Sequence, residues 1–154
     1  MLKVGAKIPD LRGASTAGDL RLSQFRGQPL VVYFYPKDAT PGCTREAQDF
    51  RDLAAQLKKH KAVVLGVSRD SLKSHENFRT KQALDFALVS DPDETWCKAF
   101  DVIHEKVLYG KRYLGVVRST FLIGADGRLL REWRGVKVPG HAAEVLAALA
   151  AECA

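Results

Sequence analysis

The sequence predicts a mixed α/β fold, a central buried β-sheet covered by helices. Three observations carry that expectation. Runs at 29–36, 62–68 and 86–91 are short, rich in β-branched and aromatic residues, and apolar on both faces, as strands between two layers are. Segments with helical spacing separate these runs, so strand and helix alternate. A hairpin signal and a closing amphipathic helix then complete the pattern. No repeat, low-complexity tract or linker interrupts the 154 residues, and one domain over 1–154 is expected.

The elements follow in order. "DLRLSQFRGQ" (19–28) reads as a short strand and turn. "PLVVYFYP" (29–36) reads as a central strand. From Thr40, the apolar residues Cys43, Ala47, Phe50, Ala54 and Leu57 recur on one face of a helix. "AVVLGVS" (62–68) is a second buried strand, "SLKSHENFRTKQ" (71–82) a polar-fronted helix, and "FALVSD" (86–91) a third strand. "PDETWCKAF" opens with proline and acids, the mark of a helix N-terminus. "VRSTFLIGADGRLLREWRG" (117–135) is a hairpin turning at Asp126-Gly127. Pro139 and Gly140 break the chain before a last helix, "HAAEVLAALAAEC". Trp133, Tyr109 and Tyr113 read as packing residues.

Composition narrows the function classes. Lys plus Arg (24) minus Asp plus Glu (18) gives a net charge of +6. The basic residues are scattered, and the densest group, "KKHK" at 58–61, suits the C-terminal end of a helix. The charge is therefore read as a solubility and steering property, with no nucleic-acid partner expected. The opening "MLKVGAKIPDL" lacks a long apolar segment with a cleavage site, so no signal peptide is expected. No apolar run approaches the roughly 18 residues of a membrane span, so no membrane partner is expected. Cysteines at 43, 97 and 153 are odd in number and widely spaced, which suits a reducing cytoplasm rather than a disulfide framework. His60, His75, His104 and His141 never pair at ligand spacing with each other or with a cysteine; neither a metal nor another cofactor is expected.

The address of Cys43 is the chemically informative feature. "PKDATPGCTRE" leaves the central strand and enters a helix. Thr40 is placed to cap that helix, Pro41 suits its first position, and Cys43 falls in its first turn. Unpaired backbone N–H groups and the helix dipole favour an anion there. A thiol whose ordinary pKa is about 8.5 drops in such places, and the thiolate is the nucleophile. Spacing alone also fits a cysteine that fills the buried stripe of the helix. The edge of a sheet where a strand hands over to a helix favours the reactive reading, because ligands bind there in α/β folds.

"PKDATPGC", preceded by "FY" and followed far downstream by "VRSTFLI", resembles the active-site signature of peroxiredoxins, in the bacterioferritin-comigratory-protein or PrxQ branch. The likeness extends through "VGAKIPDL", "YGKRYLGVVRSTFLI" and "VKVPGHAAEVL", nearly the whole chain. It implies a thioredoxin-like fold and a thiol-dependent peroxidase that acts on hydrogen peroxide and organic hydroperoxides. Cys43 would be the peroxidatic cysteine, passing through a sulfenic acid. Arg118 would hold the thiolate and stabilise the leaving oxygen. Thr40 would hydrogen-bond the peroxide, Pro36 would shield the site, and Glu46 would orient an arginine. The backbone N–H groups of Gly42 and Cys43 would complete the peroxide cradle.

The chain departs from that family where a resolving cysteine often stands. Five residues after Cys43 is Gln48, and the corresponding place in the next helix holds Arg79. Three routes for the second half of the cycle stay open. An external thiol such as glutathione, a glutaredoxin or thioredoxin reduces Cys43 directly; Cys97 or Cys153 resolves it after local unfolding of the first helix; or two chains pair through a disulfide. Cys97, beside Trp96 and in line with Phe100, also fits a buried structural thiol, and Cys153 lies near the C-terminus. A redox sensor read through Cys43 oxidation is the competing function, while a disulfide oxidoreductase lacks its C-x-x-C. No exposed apolar stripe is evident, so a monomer or weak dimer is expected.

Overall fold

The structure, a computed structural model, describes residues 2–153. In chain order it contains β1 (Arg12–Ser15), β2 (Leu20–Arg21), a 3-10 turn (Leu22–Phe25), β3 (Leu30–Phe34), α1 (Pro41–Asp52), α2 (Ala54–Lys59), β4 (Val63–Ser68) and α3 (Leu72–Gln82). There follow β5 (Ala87–Ser90), α4 (Thr95–Ala99), β6 (Ile103–Leu108), β7 (Lys111–Val116), β8 (Ser119–Ile123), β9 (Leu129–Arg134) and α5 (His141–Glu152). Seven strands form one sheet in the order β2-β1-β5-β4-β3-β8-β9. Its middle strands β5, β4 and β3 run parallel, and β8 closes on β3 antiparallel. The expected mixed sheet flanked by helices is present.

Strand geometry explains the core. Successive side chains of a strand point to opposite faces, so β3, buried at every residue, feeds two apolar clusters. Leu30, Val32 and Phe34 join Phe121, Trp96, Cys97 and Phe100 on one face. Val31, Tyr33 and Tyr35 join Cys43, Phe50, Leu57, Phe78 and Leu149 on the other. Helices α1, α2, α3 and α5 therefore cover the second face, and α4 with the N-terminal segment covers the first. The Tyr33 ring stacks on Phe50 at 4.8 Å between centroids and fixes α1 across the sheet.

Several expectations need correction. The segment 19–28 supplies the short strand and turn expected of it, the two-residue β2 and a 3-10 turn, but β1 precedes it unforeseen. The helix expected from Thr40 through Leu57 breaks at Leu53, whose φ of −96° and ψ of 9° separate α1 from α2. The larger miss is β6–β7, a two-stranded hairpin outside the main sheet. Its tip, Tyr109-Gly110, has φ of 50° and 76°, the left-handed pair that a two-residue hairpin loop requires. Tyr109 and Tyr113 are consequently not packing residues: they are 96% and 45% exposed. Val107, Leu108 and Leu114 are exposed beside them, so an apolar surface exists where none was expected. Trp133 does pack partly against the second core cluster, with its indole N–H donating to Glu144 at 2.9 Å.

Candidate active site

Two features of the fold bring the site together. Chain direction delivers the first: β3 ends at Phe34, and the loop 35–40 turns directly into α1. Thr40 stands at the N-cap in an extended conformation, with Pro41 at the first helical position, so Cys43 lies in the first turn. Register delivers the second. Ser119 pairs with Phe34 across the β3–β8 ladder, which sets Arg118 beside the exit of β3 although 75 residues separate it from Cys43.

The resulting geometry is compact. Cys43 is 2% exposed, and Nη2 of Arg118 donates to its Sγ at 3.3 Å. Nη1 of Arg118 donates to Oε1 of Glu46 at 2.7 Å, one helical turn beyond the thiol. One guanidinium thus bridges thiol and carboxylate, and the planar fork fixes its orientation. A Cβ on Gly42 would lie 3.2 Å from Nη2, so the absence of a side chain there lets the guanidinium reach the sulfur. Burial raises the Glu46 carboxyl to about 7, against the pull of the Arg118 charge. Its second oxygen, Oε2, is buried without a hydrogen-bond partner. Burial disfavours the Arg118 cation, but Glu46 and Cys43 together outweigh it and hold the proton more firmly.

Thr40 differs from expectation in one respect. Its hydroxyl does not cap the helix; it donates to the Lys37 carbonyl oxygen at 2.8 Å and stiffens the entry loop instead. Pro36 is half-buried and follows Tyr35 at the strand exit. Lys106, on the hairpin strand β6, was not singled out from the sequence. Burial lowers its ammonium pKa, the nearby Arg118 adds to that, and the charge of Cys43 opposes it. Only the hairpin's return toward Arg118 reveals this neighbour, since β7 ends at Val116, two residues before it.

The other cysteines are placed differently. Cys97 is wholly buried in the cluster on the opposite face of the sheet from Cys43. Burial pushes its thiol far up, and the hydrogen bond and charge of Asp91 add to this. Cys153 is half-exposed and packs against the Cys43 side. Gln48 spans to α3, its amide donating to Gln82 Oε1 at 2.9 Å, and Arg79 donates to the Phe86 carbonyl at 3.3 Å. Both positions where a resolving thiol was sought hold side chains that tie elements together.

Comparison with known proteins agrees with this arrangement. The model of the AhpC/TSA family matches residues 4–131. Peroxiredoxin Bcp of Xanthomonas campestris is 59% identical over 125 residues, covering 81% of this chain and 78% of that protein. Peroxiredoxin Bcp of Bacillus subtilis is 47% identical, covering 96% and 95%. Among solved structures, a cysteine-to-serine variant of Xylella fastidiosa PrxQ superposes with a TM-score of 0.95 at 46% identity, covering 100% and 99%. The bacterioferritin comigratory protein of Xanthomonas campestris, solved in connection with its alkyl peroxide reduction activity, gives a TM-score of 0.92 at 51% identity, covering 100% and 99%. With a thiol in the first turn of α1, an arginine on its sulfur and likeness along the whole chain, the protein belongs to the AhpC/TSA family, in the Bcp or PrxQ branch of the peroxiredoxins.

Proposed function

We propose that this chain is a thiol-dependent peroxidase whose Cys43 reduces hydrogen peroxide and small organic hydroperoxides, and that an external thiol restores it. The observation that carries this reading is the 3.3 Å contact between Arg118 Nη2 and Cys43 Sγ in the first turn of α1. An arginine is permanently charged, so it favours the thiolate and then the anion that leaves.

In the first step the Cys43 thiolate attacks the terminal oxygen of ROOH. An S–O bond forms, the O–O bond breaks, and RO⁻ departs to take a proton as ROH. Cys43 becomes a sulfenic acid. Gly42 and Cys43 offer backbone N–H groups and Thr40 its hydroxyl oxygen toward the peroxide, Pro36 limits water, and Glu46 holds Arg118 in place. In the second step an external thiol attacks the sulfenic sulfur, releasing water and leaving a mixed disulfide. A second thiol frees Cys43, and the sum is ROOH + 2 R′SH → ROH + H₂O + R′SSR′.

External reduction is favoured over an internal partner because Cys97 lies beyond the sheet with its thiol strongly disfavoured as an anion, and because burial also raises the thiol of Cys153, the cysteine on the Cys43 side. The test is intact mass spectrometry after one equivalent of hydrogen peroxide with a sulfenic-acid trap, alongside turnover with glutathione, glutaredoxin or thioredoxin. A trapped adduct on Cys43 with turnover is expected. Cys43→Ser should abolish peroxide consumption, while Cys97→Ser and Cys153→Ser leave it nearly intact. A loss of two hydrogens mapped to Cys43 and Cys97 or Cys153 would overturn the one-cysteine cycle. Trapping without turnover would favour a redox sensor.

A further inference from the structure

Ahead of α1, the entry loop sends Asp38 inward to meet His75 of α3, a residue with no solvent exposure. His75 Nδ1 lies 2.7 Å from Asp38 Oδ2, and Nε2 lies 2.9 Å from the Val89 carbonyl oxygen of β5. A carbonyl oxygen only accepts, so Nε2 carries a proton. The Tyr35 hydroxyl donates to Asp38 Oδ1 at 2.6 Å, and the Ser74 hydroxyl donates to Oδ2 at 2.8 Å. The Tyr35 hydroxyl also lies 3.5 Å from Nδ1, but its proton is directed to the much shorter contact with Oδ1, so neither hydroxyl proton is left for Nδ1. The short contact between Nδ1 and Oδ2 must hold a proton too, because two facing lone pairs at that distance repel. The pair therefore contains one proton more than a neutral imidazole and a carboxylate. Burial raises the Asp38 carboxyl, but the hydrogen bonds from His75 and Tyr35 outweigh it and leave the group below its usual range.

The remaining groups around the pair agree with this assignment. From the loop after β4, Asp70 accepts the Asp38 backbone N–H at 2.9 Å. From the exit of β3, Tyr35 stays protonated because burial lifts its phenol well above the ordinary value. The strand β5 presents only the Val89 carbonyl. Asp38, Asp70 and His75 offer atoms within 4.8 Å of one another, yet protein hydrogen-bond donors already occupy both carboxylates. The cluster is a proton-bearing clasp rather than a cation site. It grips a strained segment: Ala39, next in sequence, has a φ of 62°, which a residue with a Cβ adopts only when its surroundings impose it. One residue further, the Thr40 carbonyl accepts the first helical bond of α1 from the Thr44 N–H at 2.9 Å.

We propose that Asp38 and His75 are positioning residues for Cys43. Sharing one buried proton, they clamp the strained loop to α3 and β5, and so hold the first turn of α1 with its thiol against Arg118. This extends the reading of Cys43 as the reactive thiol, but the clamp itself can be measured without peroxide.

Two substitutions separate the proton from the packing. In Asp38→Asn the side-chain amide donates one N–H to Nδ1 of a neutral ring and its oxygen still accepts from Tyr35, while the Ser74 hydroxyl turns from donor to acceptor of the second N–H, so the side chain stays held without the extra proton. Asp38→Ala removes both. Amide hydrogen exchange at the Asp38 N–H is followed between about pH 6 and 10, corrected for the intrinsic rise with pH, and Cys43 is followed by its rates with peroxide and with iodoacetamide. Wild-type protection should fall as pH rises and the proton is lost, and Asp38→Asn should lack that fall. Asp38→Ala should lose protection about tenfold or more throughout, with a comparable drop in the peroxide rate and no drop with iodoacetamide. Equal pH profiles for wild type and Asp38→Asn would overturn the shared proton. Wild-type exchange and peroxide rate in Asp38→Ala would overturn the positioning role. If the alanine variant does not fold, the comparison of wild type with Asp38→Asn decides alone. Failure of the peroxidase reading would show as absent peroxide reaction in the wild type, with the exchange profile untouched.

Discussion

Burial lifts the Glu46 carboxyl to about 7 while the Arg118 guanidinium, 2.7 Å away, pulls it back down. The folded protein thus keeps a proton that an unfolded glutamate, with an ordinary value of 4.5, has already released. Stability is consequently lost as pH rises through the window from 4.5 to about 7. The effect is on the order of 3 kcal/mol at most, at about 1.4 kcal/mol per pKa unit. Glu46→Gln removes that titration, so chemical denaturation at pH 5 and 8 should show the variant gaining on the wild type at the higher pH. A constant difference between the two proteins would refute the assignment. Arg118→Ala takes away the cation on Sγ and should slow peroxide consumption about a hundredfold or more, the scale for losing one charge-stabilising donor. An unchanged rate in stopped-flow measurements would remove Arg118 from the mechanism. Cys43, Thr40 and Pro41 were legible in sequence because they adjoin one another in a helix entrance. The Glu46–Arg118 ion pair was expected only through resemblance, since nothing local in "TREAQ" names its partner.

Among the elements, those that declared themselves have a single dominant face or a marked end. Ser71, the first residue of the segment read as a helix, caps α3 with its hydroxyl accepting the Ser74 N–H at 3.2 Å. Ser71→Ala should cost about 1 kcal/mol, seen as a Tm lower by about 2–4 °C in a chain of this size. No change would mean that water replaces this cap without loss. The elements that escaped notice lack such signals. β1 is "RGAS", short and built of poor strand formers, and it exists because Ala14 and Ser15 find Ser90 and Val89 of β5. In β6 and β7 most residues are exposed, so the apolar–polar alternation of a half-buried strand never appears. Their tip is Tyr-Gly rather than the Asn-Gly or Asp-Gly that marks such turns.

At the scale of the whole molecule, the sheet is a partition. Helix α1 carries Cys43 into the cluster on one face of the sheet and α4 carries Cys97 into the cluster on the other, a separation that counting cysteines along the chain could not show. The Asp38–His75 clasp was equally hidden, for its members lie 37 residues apart and meet only through the β3–β4–β5 order. The hairpin shows the converse, a piece of chain that the partition does not need. Lys111 and Arg112 sit exposed next to its tip, outside the seven-stranded sheet. Limited trypsin should therefore cut there early, while β8 from the second fragment stays paired with β3 of the first. The nicked protein is expected to elute as one species and to separate only in denaturant. Separation without denaturant would show that the hairpin helps to hold the sheet. A chain that survives such a cut can also be reopened by design: new termini, a tag or a surface tether can enter at Tyr109-Gly110, with the original ends joined elsewhere.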